Sequence, residues 1–179
     1  MSLSVRQRPM RQTTAVMACT IAVITCSIVG PAWTQTIGDE AELERLRAKA
    51  EDAIASDDPE GAAMAMGRAA LMAKRLSLIN QNDGSAARFY QGAESLFRSQ
   101  EHGYRAMALF RRAGGQLPAS SGVCGSLALA QSSVQHALSD LAVEAPRPSA
   151  LEERVKHWRE TADDWVTVVA AMITDYQCP

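Results

Sequence analysis

Between Leu151 and Tyr176, apolar residues stand at Leu151, Val155, Trp158, Ala162, Trp165, Val169, Met172 and Tyr176, at steps that alternate four and three without a miss. At 3.6 residues per turn such steps stay on one face of an α-helix, whereas a strand needs steps of two. A helix with so continuous a seam has to pack along a neighbouring helix, and two tryptophans on it bring a large area to bury. The final segment therefore commits the chain to helix-on-helix packing.

The rest of the chain agrees from Gly38 onward, with helical periodicity and no alternating strand segment. The first helix is expected to open at Asp39, with Glu42 completing a capping box, and to end near Ser56 after placing Leu43, Leu46, Ala50 and Ala53 on one face. Asp58-Pro59-Glu60 starts the second: an N-cap, proline at the first helical position, and an acid at the positive end of the dipole. Its body, Gly61 to Asn80, is rich in Ala and Met and should be mostly buried. After Gln81-Asn82-Asp83-Gly84, Ser85 caps a third helix over Ala86 to Gln100. His102-Gly103 is expected to turn the chain into a fourth, Tyr104 to Ala113, ended by Gly114-Gly115 and Pro118. Ser120 or Ser121 caps a fifth, which runs to Val143 with Leu127, Ala130, Val134, Leu138 and Leu141 inward. Ala145-Pro146-Arg147-Pro148 is a stiff break before the last helix, where Ser149 and Glu152 form another capping box. The expectation is an all-α domain over residues 38–179, with about six helices stacked as hairpins.

The N-terminus has a different character. Arg6, Arg8 and Arg11 precede an uncharged run, Thr13 to Gly30, and Pro31-Ala32 follows. Basic, apolar, then small is the order of a secretory signal peptide, here residues 1–32. The alternative is an uncleaved membrane anchor, which four threonines in the run make less apolar than a span needs. Cys19 and Cys26 lack a lipoprotein's context, being preceded by Val16-Met17-Ala18 and Val23-Ile24-Thr25. The expected location is periplasmic or extracellular.

Cleavage removes three of the 18 basic residues and none of the 20 acidic ones, leaving a net charge of −5. Such a domain lacks the basic excess that displaces counterions from nucleic acid. Cys124 and Cys178 remain, and two cysteines in an exported chain point to a disulfide.

No catalytic or cofactor-binding constellation emerges. His102, His136 and His157 are scattered, without partners at metal-ligand spacing, and no Cys-x-x-Cys-His haem motif occurs. Met64, Met66 and Met72 cannot share one helix face as a copper site would require, and suit core packing instead. The acidic pairs Asp57-Asp58, Glu152-Glu153 and Asp163-Asp164 fit helix starts or solvated faces rather than a glycosidase pair. Gly122-Val123-Cys124-Gly125 lacks the ending of a phosphate loop. The expectation is a protein without enzymatic activity, metal or cofactor.

One stretch is more specific. Ala106, Phe110, Ala113 and Pro118 are spaced four, three and five apart, with Tyr90 and Phe97 upstream. This pattern resembles a tetratricopeptide repeat over Ala87 to Ser120, departing from it mildly at Ala93 and clearly at Glu94. A weaker frame starts at Leu43 with Leu46, Ala50, Ala53, Ala62, Met66 and Ala69, has Lys74 where proline belongs, and requires an extended second helix. The resemblance implies a groove for a protein or peptide, lined by first-helix positions that fall here on Arg88, Gln91, Ser95 and Arg98. Two arginines there favour an acidic partner. The equivalent positions of the weaker frame, Glu44, Arg47, Glu51 and Ile54, are mixed and favour no single ligand. The resulting expectation is an exported helical adaptor. The alternative is an assembly subunit of an envelope complex that packs through the Trp158 and Trp165 seam.

Overall fold

Among the described residues five helices follow one another, each neighbouring its successor: α1 (Ala32–Ala55), α2 (Pro59–Ile79), α3 (Gly84–Arg112), α4 (Ser121–Leu141) and α5 (Ser149–Asp175), with α5 also returning against α3. This computed structural model describes residues 32–142 and 149–179, with side chains from Gly38 onward and, in α5, from Leu151. The expected signal peptide, save Ala32, and the Ala145–Pro148 break lie outside the described residues. Among those residues there is no strand, so the chain is all-helical as expected.

The local signals set several boundaries. The Asp58 carboxylate accepts the Gly61 amide at 2.8 Å ahead of Pro59, which leaves an otherwise unpaired first-turn donor satisfied. A Cβ on Gly61 would come within 2.1 Å of that carboxylate. Asp83, rather than the expected Ser85, caps α3 and accepts the amides of Ser85 and Ala86, both at 3.0 Å. Gly114 and Gly115 end α3 at φ of 73° and 69°, the left-handed region glycine tolerates. α1 already runs at Ala32, so Asp39 is an interior residue and not the cap expected.

The main correction is α3. No turn forms at His102-Gly103; the expected third and fourth helices are one helix of 29 residues. In place of the hairpin that the tetratricopeptide resemblance implies over Ala87–Ser120, one helix runs unbroken to Arg112 and a loop follows. Gly103 serves closeness instead: a Cβ there would lie 2.7 Å from the Trp165 ring of α5. Gly92 does the same for Leu141, at 2.7 Å. The weaker frame is the one that bends back, across α1 and α2, with Leu46, Ala50, Ala62, Met66 and Ala69 buried and the second helix long.

All five helices feed one core, in which Leu43, Met66, Phe97, Leu127 and Trp158 meet. Trp158 sits edge-on to Phe97, with centroids 4.9 Å apart, and to Phe89 at 5.8 Å. The Trp165 indole donates to Ser99 Oγ at 2.9 Å, and Ser99 donates to the Ala130 carbonyl at 2.6 Å, tying α5, α3 and α4 together. At the other edge the Tyr90 hydroxyl donates to Glu40, Arg154 donates to the same carboxylate at 3.2 Å, and its guanidinium lies 4.7 Å over Phe89. The seam of α5 is thus turned inward, with Trp158 and Trp165 buried within the chain's own fold.

Candidate functional site

A groove of about 470 Å³ runs between α2 and α3. Its origin is the composition of α2. Ala62, Ala65, Met66, Ala69, Ala70, Ala73 and Leu76 bury one broad side of that helix, and small side chains there let its neighbours come close. The remaining side faces solvent with Glu60, Met64, Arg68 and Leu71. Opposite them α3 presents Arg98, Glu101, Arg105, Ala108, Leu109 and Arg112. These residues follow helical steps, so one face of α3 supplies that whole wall.

Small residues make the floor: Ala63 and Gly67 on α2, Ala108 on α3. A Cβ on Gly67 would stand 3.1 Å from Glu101 Cδ, so glycine lets that carboxylate lie against α2. Glu101 is nearly buried and accepts from Arg98 at 2.8 Å and from Arg105. Burying a carboxylate is tolerable only when it is so paired. Arg112 stands 3.6 Å from Glu60, and Arg68 makes no ion pair among the described residues. Four arginines against two glutamates leave the groove basic in a chain whose overall charge is −2. Guanidinium groups not saturated by their own partners offer planar donors to carboxylates.

Of the expected binding residues, Arg88, Gln91, Ser95 and Arg98 do share a face of α3, but Arg98 alone lines the groove. Arg88 and Gln91 are exposed on the earlier part of the helix, and Ser95 is half-buried. On α1 the mixed set closes on itself: Arg47 stands 3.4 Å from Glu44 and 3.6 Å from Glu51. Arg68, Arg105, Arg112, Met64 and Leu71 were not foreseen. Their signal was an apolar row on α2, yet α2 was expected to be mostly buried. Met64 and Leu71 are 63% and 58% exposed.

No family model, curated protein or solved structure matches the chain. Its chemistry has to be read from the residues themselves. Cys124 and Cys178 are joined in a disulfide with Cα atoms 5.4 Å apart. Around that bond the Ala119 amide donates to the Tyr176 carbonyl at 2.9 Å, and Tyr176 stacks on Phe110 at 4.2 Å, so the C-terminus is bound to the end of α3. Among the described residues no three His, Cys, Asp or Glu side chains gather to hold a metal ion. Nor is any described helix long and apolar enough to cross a membrane. Burial is the leading cause of the shifts of Tyr90, His102, Tyr104, Asp140 and Tyr176. Tyr90 is pushed up to about 12 by desolvation and by its bond to Glu40, and His102 is held below 6.5 by desolvation. Tyr90 ties helices together, and His102 is absent from the groove lining.

Proposed function

We propose that this protein is an exported, non-enzymatic helical adaptor that binds an acidic protein or peptide partner in the groove between α2 and α3. The observation that carries the reading is the groove's makeup: a small-residue floor, exposed Met64 and Leu71, and arginines at positions 68, 98, 105 and 112. Apolar area supplies affinity, and the arginines supply orientation and sign. The Cys124–Cys178 bond supports export, since disulfides persist in oxidising compartments. This reading rests on the groove and not on the repeat-like frame. The burial of the Trp158 and Trp165 seam against α3 and α4 favours the adaptor reading over the assembly-subunit alternative.

The test is affinity purification of the full chain from its own host, comparing two double variants. Arg68→Gln with Arg98→Gln removes two groove charges and should weaken capture of the partner about tenfold, with a smaller salt dependence. Arg88→Gln with Gln91→Ala leaves the groove intact and should retain it. The opposite pattern would move the site to the earlier part of α3 and refute the groove.

A further inference from the structure

The solvent face of α2 extends the groove in a regular way. Met64, Leu71 and Leu78 stand seven residues apart, each two turns beyond the last, and are 63%, 58% and 61% exposed. Between them lie exposed Arg68, Lys74 and Arg75, and from α3 Arg98 and Arg105 flank the same strip. Exposed apolar residues normally occur singly. A row of three large ones at heptad spacing supplies one of the two apolar positions per heptad that a helix-pair seam uses.

We infer that this face docks one amphipathic helix of a partner protein, laid along α2, with apolar residues at alternating steps of three and four and with Asp or Glu beside them. The inference rests on the groove reading and adds the class of its occupant. The spacing selects a helix: the row on α2 repeats every ~10.5 Å, which a second helix matches every seven residues. An extended peptide returns to one side roughly every 6.8 Å and falls out of step. Met64 to Leu78 spans about 21 Å, so a docked helix needs about 15 residues. The small side chains of Ala63 and Ala108 leave room for its backbone to approach.

Charge selects the sign. Arg68, Lys74, Arg75, Arg98 and Arg105 outnumber Glu60, Glu101 and the Asp39 that stands 3.6 Å from Arg75 on this strip. The chain's own residues 1–30 contain arginines and no acid, so they repeat the sign of the strip rather than complement it. A second copy could offer its acidic α5 row, Glu160, Asp163 and Asp164, but Val168 is the sole large apolar residue exposed on the described part of that helix. An anionic bilayer would meet the Glu60 and Glu101 carboxylates and no aromatic anchor on α2.

The experiment uses the full, disulfide-bonded chain and a fluorescein-labelled 18-residue peptide with Leu at heptad positions a and d and Glu at e and g, followed by fluorescence anisotropy. Two further peptides carry either two central prolines or Lys in place of every Glu. The acidic helix should bind at least about tenfold tighter than either. Leu71→Ser with Leu78→Ser, both at exposed positions, should weaken it by about tenfold or more with the circular dichroism spectrum unchanged. Equal binding of the proline peptide, still dependent on Arg98 and Arg105, overturns the helical occupant and spares the acidic-partner reading. Equal binding of the lysine peptide, or of none, overturns the inference, and the lysine result takes the acidic-partner reading with it. Co-sedimentation with phosphatidylglycerol–phosphatidylcholine vesicles, lost in the leucine variant, would hand the face to a membrane. A dimer dissolved by that variant would hand it to a second copy.

Discussion

Two glycines show how one residue type can mean different things. Gly103 has the sequence signature of a turn, next to His102 and between two helical runs, but its missing side chain makes room for Trp165. That ring is pinned by its bond to Ser99, so it cannot step aside. Gly103→Ala should destabilise the fold by about 1–2 kcal/mol in urea titrations, overpacking outweighing the gain in helix propensity. Gly125 on α4 has nothing within 4 Å of an added Cβ, and Gly125→Ala should stabilise by roughly 0.5–1 kcal/mol. Equal effects at both sites would refute the close-approach account. His102, beside Gly103, titrates below 6.5 because burial disfavours its charged form more than Glu101 favours it. The unfolded chain therefore binds this proton first, and the residue's stability contribution, complete above pH 6.5, is lost as the pH falls from there through the lower folded-state pKa. His102→Gln should flatten that portion of the stability–pH curve relative to the wild type.

At the scale of elements, helix starts and stops were legible where they depend on neighbours in sequence. Asp58-Pro59 and Gly114-Gly115 act through bonds and dihedrals a few residues long, and the chain behaves there as they dictate. The continuity of α3 was not legible, because what keeps Gly103 helical is α5, more than 60 residues away in the chain. The same limit applied to α2. Its Ala and Met content marks a helix good at packing, but which side would be covered depended on where α1 and α3 came to lie. The Cys124–Cys178 bond belongs to this scale too, since it fixes the segment that follows α5 beside the first turn of α4. It closes a 54-residue separation, so Cys124→Ser with Cys178→Ser should cost about 4 kcal/mol in the chain-entropy view. A loss below about 1 kcal/mol in urea titration would show that Phe110–Tyr176 stacking and core packing hold the C-terminus unaided.

Across the whole molecule, the apolar seam faces the core and the basic groove faces solvent. α5 spends its tryptophans on the chain's own core, against Phe89, Phe97 and Tyr104. Trp158→Ala should therefore lower stability by about 3–5 kcal/mol and leave the sedimentation mass unchanged. A change in mass with stability preserved would restore the seam as an assembly surface. What the sequence determined by itself was whatever follows from period and punctuation: an all-helical chain, most helix ends, the continuous seam of α5, and two cysteines suited to a bond. The groove lining was legible in part: Arg98 was among the residues expected at a partner surface, and Arg68, Arg105 and Arg112 were not. Only the tertiary structure decided which arginines share a groove, which leucines stay uncovered, and that one glycine spaces helices instead of breaking one. The physical reason is range. Backbone dihedrals and caps are set within a turn or two of chain, whereas burial and charge juxtaposition depend on helices that meet from distant parts of it.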